Sequence, residues 1–512
     1  MNLSALLKRL TYTEIYREDD LPEDITDVVF DSRKITDGSL FIAISGFKAD
    51  GHRFLDQAAE RGAVAAVVER IDPAVPLPQI RVENSRRALA ETACLMSGDP
   101  SRELTMIGVT GSNGKTTTSM MLVNILRAAA KKVGVMGTVM YSSGKTVEAS
   151  EFTTPDPITL QHFLREMVEE KNTHCVMEVS SMGLEQYRVY GIDYDVVGFI
   201  NISHEHIDHH GSFENYLNEK KKLVTGASPE TRVVLNADDP IVSDLKDETE
   251  GVVLMYGHRE KADIKAVDVD QKDGFYSFRL VTAEEIQAGN ITIPQTDIAV
   301  RLRVSGYHMM LDALAAASLA LAAGIAPEYI VEGLEGYQGV ERRFECLMQE
   351  PVLVFDDHFA NYGNIRQSLT TLEPFQKRGV HLVYALRGSR GFDTMIDTAR
   401  AMNDFMRDMD LKSVILSRSS ETVKEKDIVL PEEEKAFLDT LEIPYDVLVD
   451  RLDEAVDALL DRVEENDVIL LAGCQGMDAG GRLFLNKWLE RHPDANAVAV
   501  LDPLKDRQCG WE

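Results

Sequence analysis

The chain has 512 residues, more than a single hydrophobic core usually supports, and the length alone predicts about three domains. Its apolar and charged fractions, 44% and 27%, are those of an ordinary globular protein. The formal net charge of −31 argues against a nucleic-acid partner, which needs a basic face, but not against an anionic small substrate in a local cationic pocket. Cys94, Cys175, Cys346, Cys474 and Cys509 show neither paired nor metal-type spacing, so reduced thiols are expected. Residues 1–10 are too short and too interrupted for the apolar core of a signal peptide. With no run of about 18 apolar residues, no membrane insertion is expected either. The expectation is a cytoplasmic monomer.

Short β-branched runs alternate with helical patterns, the signature of parallel-sheet α/β folds. The first block predicts strands at 28–30, 40–43 and 63–68, then a helix over 85–96 that runs into the turn Gly98-Asp99-Pro100-Ser101. The second opens with a strand over 104–110, a glycine turn and a helix over 115–130. Strands follow at 175–179, 196–200 and 233–235, and an alanine-rich helix over 312–323 ends at Gly324. After Gly336-Tyr337-Gln338-Gly339, a third block predicts strands at 352–355, 381–385, 413–416 and 468–472, each beside a helical pattern. The expected architecture is therefore α/β in three domains. A smaller α/β domain spans 1–99, a doubly wound, mostly parallel sheet with a phosphate loop spans 100–337, and a Rossmann-like sheet spans 338–512.

The loop is Gly111-Ser112-Asn113-Gly114-Lys115-Thr116-Thr117. A strand feeding a glycine turn that opens a helix aims backbone N–H groups at an anion and lets the backbone approach it closely. Lys115 is expected on the β- and γ-phosphates of ATP, and Thr116 on the Mg2+ that travels with it. Val109 stands where the general GxxxxGK[ST] pattern has its first glycine, but Gly111, Gly114, Lys115 and Thr116 suffice for a shorter cradle.

This loop, without the first glycine, resembles that of the Mur ligases, and further motifs of that family follow in order. Thr153-Thr154-Pro155 resembles the family's TTP, and Glu178-Val179-Ser180-Ser181 with Arg188 resembles EVSSHxLxxxR. Asn201-Ile202-Ser203-His204-Glu205-His206-Ile207-Asp208 resembles TNLSxDHLD, Tyr216 to Lys220 resembles YxxAK, and Asn236 to Pro240 resembles NxDDP. Upstream, Asp31-Ser32-Arg33 and Asp50-Gly51-His52 resemble the MurE subgroup, whose N-terminal domain holds the UDP part of its substrate.

The resemblance implies a ligase that activates a carboxylate with ATP as an acyl phosphate, which the amine of an amino acid then attacks to form an amide. It implies ATP and Mg2+ as cofactors, and a UDP-linked peptide precursor and an amino acid as small-molecule partners. Lys115, Glu178, His206, Lys220 and Arg343 are carried over as catalytic. Gly111, Asn113, Gly114, Lys115, Thr116, Thr117, Arg343 and Asp357 are carried over as ATP contacts. Ser32, Arg33, Thr153, Thr154, Ser181 and Arg188 are carried over as substrate contacts. Metal ligands are Thr116, Glu178, His206 and, if it is carbamylated by CO2, Lys220. Lys220-Lys221-Lys222 leaves the register open, since any of the three could belong to a solvated basic face. The cluster His204, His206, His209 and His210 could also hold a transition metal. Arg343 lies in the third block and Lys115 in the second, so both reach one triphosphate only if the domains close.

The departures concern the far ends of the substrates. The family's adenine-contacting asparagines fall on Met309 and Asp312, and the family's DYAHxP reads Asp357-His358-Phe359-Ala360-Asn361-Tyr362. The arginine-bearing DNPR of diaminopimelate-specific members is replaced around Leu416 to Glu421, and GKGHE by Gly473 to Asp478. Met182 and Glu205 stand where the family has His and Asp. Arg418 is a candidate substitute clamp for the incoming amino acid. Alternatives remain another acid or amino-acid polymer as acceptor, or a nucleotide-binding paralogue without ligase activity.

Overall fold

The computed structural model describes residues 2–504 apart from 47–48, 204–206, 273, 340, 360–361 and 389–390. The chain forms two compact units. One comprises Met1–Val267, Arg279–Ala299 and Asp312–Leu334, the other Asp268–Phe278, Val300–Leu311 and Glu335–Glu512.

The first unit begins with a five-stranded sheet of β1 (Tyr12–Tyr16), β2 (Asp27–Val29), β3 (Ser39–Ile42), β4 (Ala63–Val68) and β5 (Gln79–Val82), ordered β1-β5-β4-β3-β2. Only the β1–β5 pair is antiparallel. β3 and β4 are buried on both faces, which is why they read as unbroken apolar runs. The helix Ser85–Met96 starts at Asn84, whose side chain accepts from Arg87 N. It fastens this sheet to the next through Gln161 Nε2, which donates to Cys94 Sγ at 3.1 Å. Arg9 grips Asp99 with two hydrogen bonds at 2.7 and 2.6 Å across the same junction.

The second sheet of this unit holds β6 (Thr105–Thr110), β7 (Val133–Met136), β8 (Met140–Ser142), β9 (Val147–Ala149), β10 (His174–Glu178), β11 (Val196–Phe199), β12 (Arg232–Asn236) and β13 (Val252–Gly257). It continues through β14 (Ile264–Lys272), β15 (Phe275–Thr282) and β18 (Thr296–Ser305), whose residues 268–272, 275–278 and 300–305 belong to the second unit, past a separate hairpin of β16 (Ile286–Ala288) and β17 (Ile291–Ile293). The order is β18-β15-β14-β13-β12-β11-β6-β10-β7-β8-β9. β6 lies between β11 and β10, parallel to both, so the loop after it opens where the strand order reverses. The helix Tyr307–Ala322 starts earlier than its alanine-rich stretch suggests, because Gly306 at φ +113° turns β18 directly into it.

The second unit is built on β19 (Glu345–Met348), β20 (Leu353–Asp357), β21 (Val380–Ala385), β22 (Leu411–Ser417), β23 (Val447–Val449) and β24 (Val468–Ala472). Their order is β19-β20-β24-β21-β22-β23, parallel except at the β19 edge. Apolar cores cover both faces, one around Phe355, Phe375 and Tyr384, the other around Ile415, Phe484 and Trp488. This is the Rossmann-like sheet expected of the third block, and the fold is α/β throughout. Among the described residues no helix is long and apolar enough to cross a membrane.

Candidate active site

The phosphate loop follows β6 and opens the helix Lys115–Ala128. Gly114 sits at φ +79°, and a Cβ there would lie 2.1 Å from Asp312 Oδ1, so both backbone angle and space require glycine. The loop is braced from the segment after β11. Ser112 N donates to Asn201 O at 3.0 Å, Asn113 N donates to Asn201 Oδ1 at 2.9 Å, and Asn201 Nδ2 donates to Asn113 O at 2.9 Å. Ser203 N donates to Ser112 Oγ at 2.9 Å, and that hydroxyl also meets Tyr216 OH at 2.9 Å. Thr117 is half-buried in the first turn of the loop helix.

Three predicted residues converge here. Lys115 Nζ donates to Gly111 O and Ser112 O, both at 2.8 Å. Lys220, 2% exposed, donates from Nζ to the same Gly111 O at 2.7 Å. Glu178, at the C-terminal end of β10, accepts from Thr116 Oγ1 at 2.9 Å, from Thr138 N at 2.9 Å and from Thr138 Oγ1 at 2.9 Å. Gly137 leaves room for that carboxylate, since a Cβ there would come within 2.3 Å of Glu178 Oε1. Glu178 is buried, its three donors are neutral, and no ion pair involves it among the described residues. A buried carboxylate beside two threonine hydroxyls is the oxygen-rich set that a hard divalent cation takes, so these residues fit Mg2+.

The lysine register is now plain. Lys221 pairs with Glu248 at 2.9 Å and Lys222 with Glu219 at 2.6 Å, both at the surface, which leaves Lys220 as the inward side chain. His206, His204 and Glu205 lie outside the described residues. His209 pairs with Glu185 at 2.9 Å, and His210 Nε2 lies 3.0 Å from Ser181 Oγ.

The substrate-side residues form a second group in the same unit. Thr154 Oγ1 donates to Glu178 O at 2.9 Å and accepts from Ser180 N at 3.0 Å, while Thr153 Oγ1 lies 3.1 Å from Thr138 Oγ1, whose proton goes to Glu178. Arg188 donates to Thr154 O at 2.7 Å and lies over the Phe152 ring at 4.5 Å. A cavity of about 620 Å³ between the two sheets is lined by Arg33, Lys34, Arg86, Phe152 and Arg188, among others. Asp27, Asp31, Glu151 and Asp156 line it as well, so its four cations are matched in number by carboxylates, and Phe30 and Phe152 give it aromatic faces. Arg33 reaches into solvent and pairs with Asp31 at 2.8 Å, whose carboxyl it holds down at about 2. Ser32 is turned inward, donating to Gln57 Oε1 at 2.8 Å.

In the second unit, Arg342 and Arg343 divide their roles. Arg342 is buried, pairs with Asp356 at 3.2 Å and with Asp478, and donates to the carbonyls of Gly473 and Cys474. Arg343 is exposed between Arg342 and Phe344, both at positive φ. Asp357 is buried and accepts from Phe344 N at 2.8 Å and Ser368 Oγ at 2.8 Å, and burial pushes its carboxyl up. Arg418 does not stand open as a clamp. It is gripped twice by Glu434, at 2.6 and 2.9 Å, and once by Asp450 at 2.6 Å.

Sequence reading passed over Thr138, Gly137, Arg86 and Phe152. Thr138 and Gly137 follow the short strand β7, and only their proximity to Glu178 gives them meaning. Arg86, on the helix Ser85–Met96, and Phe152, after β9, come to line one cavity only in the folded unit.

A parallel sheet whose central strand feeds a braced, lysine-bearing glycine turn beside a buried carboxylate defines a phosphate-loop α/β protein. The Mur ligase middle domain matches residues 109–320, the catalytic domain of the Mur ligase family matches 24–96, and the Mur ligase glutamate ligase domain matches 342–475. The chain belongs to the Mur ligase family. It is 37% identical over 397 residues to the UDP-N-acetylmuramoyl-L-alanyl-D-glutamate–2,6-diaminopimelate ligase of Geobacillus thermodenitrificans (strain NG80-2), covering 76% of this chain and 78% of that protein. The fold is similar to a solved structure of a UDP-N-acetylmuramoyl-L-alanyl-D-glutamate–2,6-diaminopimelate ligase, with a TM-score of 0.65 at 22% identity over 88% of this chain and 90% of that one. It is also similar to a MurF ligase from Thermotoga maritima in complex with ADP, with a TM-score of 0.56 at 22% identity over 91% of this chain and 98% of that one.

Proposed function

We propose that this chain is a MurE-type, ATP-dependent acid–amino acid ligase that extends a UDP-N-acetylmuramoyl-peptide precursor by one amino acid in cell-wall peptide synthesis. The observation that carries the reading is that Lys115 and Lys220 meet at the carbonyl of Gly111 while the adjoining Thr116 meets Glu178. Membership of the Mur ligase family and the name of the 37%-identical relative support it. The domain limits proposed are 1–99 for the UDP-substrate domain, 100–337 for the ATP domain and 338–512 for the domain that takes the amino acid.

In this mechanism the triphosphate lies on the N–H groups of residues 111–117 and Lys115 swings from the carbonyls of Gly111 and Ser112 to the β- and γ-phosphates. Thr116, Glu178, His206 and Lys220 as its carbamate would hold Mg2+, which would supply neutralisation of the phosphate charge. A carboxylate oxygen of the precursor forms a bond to the γ-phosphorus while the bond to ADP breaks. The amine of the amino acid then attacks the acyl carbon, phosphate leaves with the acyl bonding pair, and the amine's proton passes to solvent. Thr153, Thr154, Ser181 and Arg188 orient the precursor beside Glu178, and Arg33 is assigned to its UDP end, whereas the hydroxyl of Ser32 is taken up by Gln57. Arg343 and Asp357 are assigned to ATP from the family pattern.

The two ammonium groups of Lys115 and Lys220 share one carbonyl oxygen in this geometry. Converting Lys220 to a carbamate removes that like-charge crowding and adds an anionic oxygen pair where a metal is needed, which supports the modification.

With Arg418 held by Glu434 and Asp450, the incoming amino acid is taken without that arginine as its clamp. A panel of diaminopimelate, lysine, ornithine and glutamate, assayed with UDP-N-acetylmuramoyl-dipeptide, identifies the amino acid. Titration calorimetry with the UDP-peptide tests the acceptor. No binding at millimolar concentration defeats this assignment and leaves a ligase acting on another acid.

A further inference from the structure

Asp312 is the one acidic residue of the mostly apolar helix Tyr307–Ala322 and precedes Ala313, Leu314, Ala315 and Ala316, all of them buried. Its carboxyl packs against the Cα of Gly114, the residue that opens the phosphate-loop helix. Thr118 Oγ1 donates to it at a long 3.5 Å, and no ion pair involves it among the described residues. Two titratable groups face it. Lys115 on the loop helix acts on it as a cation, and Tyr256 on β13 is buried, its phenol pushed well above the usual range by burial and by Asp312 itself. Burial pushes the Asp312 carboxyl up from 3.8 to about 8, against smaller opposing effects of Thr118 and Lys115.

We propose that Asp312 is a positioning residue for the nucleotide, and that the loop accepts a phosphate chain only when this carboxyl carries its proton. The physical reason is sign and distance. An ionised carboxylate against Gly114 lies beside the N–H groups that receive phosphate, in a setting too dry to screen it. It also competes for Lys115, which the phosphates need. The protonated acid has no net charge and can still meet Thr118. Nucleotide binding is therefore coupled to proton uptake at Asp312, and the loop loses affinity as pH rises through the carboxyl's titration. The inference rests on the reading of the loop as the nucleotide site.

The test is titration calorimetry of the full chain with ADP and with a non-hydrolysable ATP analogue. It runs at several pH values above the range in which the nucleotide's own phosphates titrate, in two buffers of different ionisation enthalpy. If only the protonated form binds, the apparent Kd rises about 25-fold between about pH 7.5 and about pH 9.5, because affinity scales with the competent fraction. Binding above the titration takes up close to one proton. Asp312→Asn keeps the shape without the charge. It binds at all pH values as tightly as the native chain does at the low end, with a flat profile and no proton uptake at this position. A flat profile in the native chain, or an undiminished slope in Asp312→Asn, overturns this inference and leaves the loop assignment standing. Absence of nucleotide binding by the native chain at every pH overturns both.

Discussion

Single side chains decide what the loop can do. Glu178 is useful because Gly137 leaves its carboxylate room, so Gly137→Ala forces the two groups apart. The expected outcome is a loss of about 1–3 kcal/mol in urea unfolding together with a fall in kcat/KM, as overpacking at a close contact implies. Lys220 is expected to act as a carbamate. Stripping CO2 from buffer and enzyme should lower turnover, and bicarbonate should restore it, whereas Lys220→Ala should be inactive under both conditions. Equal turnover with and without CO2 contradicts the carbamate. The neighbouring arginines of the second unit give a sharper contrast. Arg342→Ala strands the buried Asp356 and is expected to destabilise by about 3–5 kcal/mol, read from chemical denaturation. Arg343→Ala, at an exposed position, should leave stability within about 0.5 kcal/mol and still lower kcat/KM for ATP.

At the scale of elements, what the sequence made readable follows from burial. β4 and the helix Ser85–Met96 have the bounds expected of them, because one is an unbroken apolar run and the other has a capping asparagine. The strands β14, β15 and β18 were not anticipated, for their residues alternate between buried and partly exposed and carry no long apolar run. In the candidate site, Lys115 and Thr116 could be named because the loop and helix start are a local pattern, whereas Glu178 was named through the family resemblance. The brace from Asn201 and Ser203 could not, since it joins residues about ninety positions apart. Nor could the pinning of Arg418, which depends on Glu434 and Asp450 arriving from other elements. Asn201→Ala removes both side-chain hydrogen bonds to Asn113. It should weaken nucleotide binding several-fold while costing about 1–2 kcal/mol of stability, measured by calorimetry and urea unfolding.

On the scale of the whole molecule, Asp312 also shapes the dependence of stability on pH. Its folded pKa, about 8, lies above the ordinary 3.8, so between those values the native chain holds a proton that the unfolded chain releases. Rising pH therefore favours the unfolded state by up to about 1.4 kcal/mol per pH unit across that window, and by no more above it. Asp312→Asn should be more stable than the native chain near neutral pH, with the gap closing toward pH 4. The net charge of −31 adds self-repulsion in the same direction, and the variant, with one acidic side chain fewer, keeps all but one charge of it, so most of this term cancels in the comparison.

The central claim is that the loop and its carboxylate perform amide ligation on a UDP-linked peptide. Its most direct measurement is phosphate release from ATP with UDP-N-acetylmuramoyl-dipeptide and the amino-acid panel, with the extended UDP-peptide identified by mass. Phosphate and product are expected in equal amounts, only when acceptor and amino acid are both present, with a loss of about 10²–10³-fold in Lys115→Ala. Undiminished turnover in Lys115→Ala, or phosphate release with no new amide for any member of the panel, would contradict it.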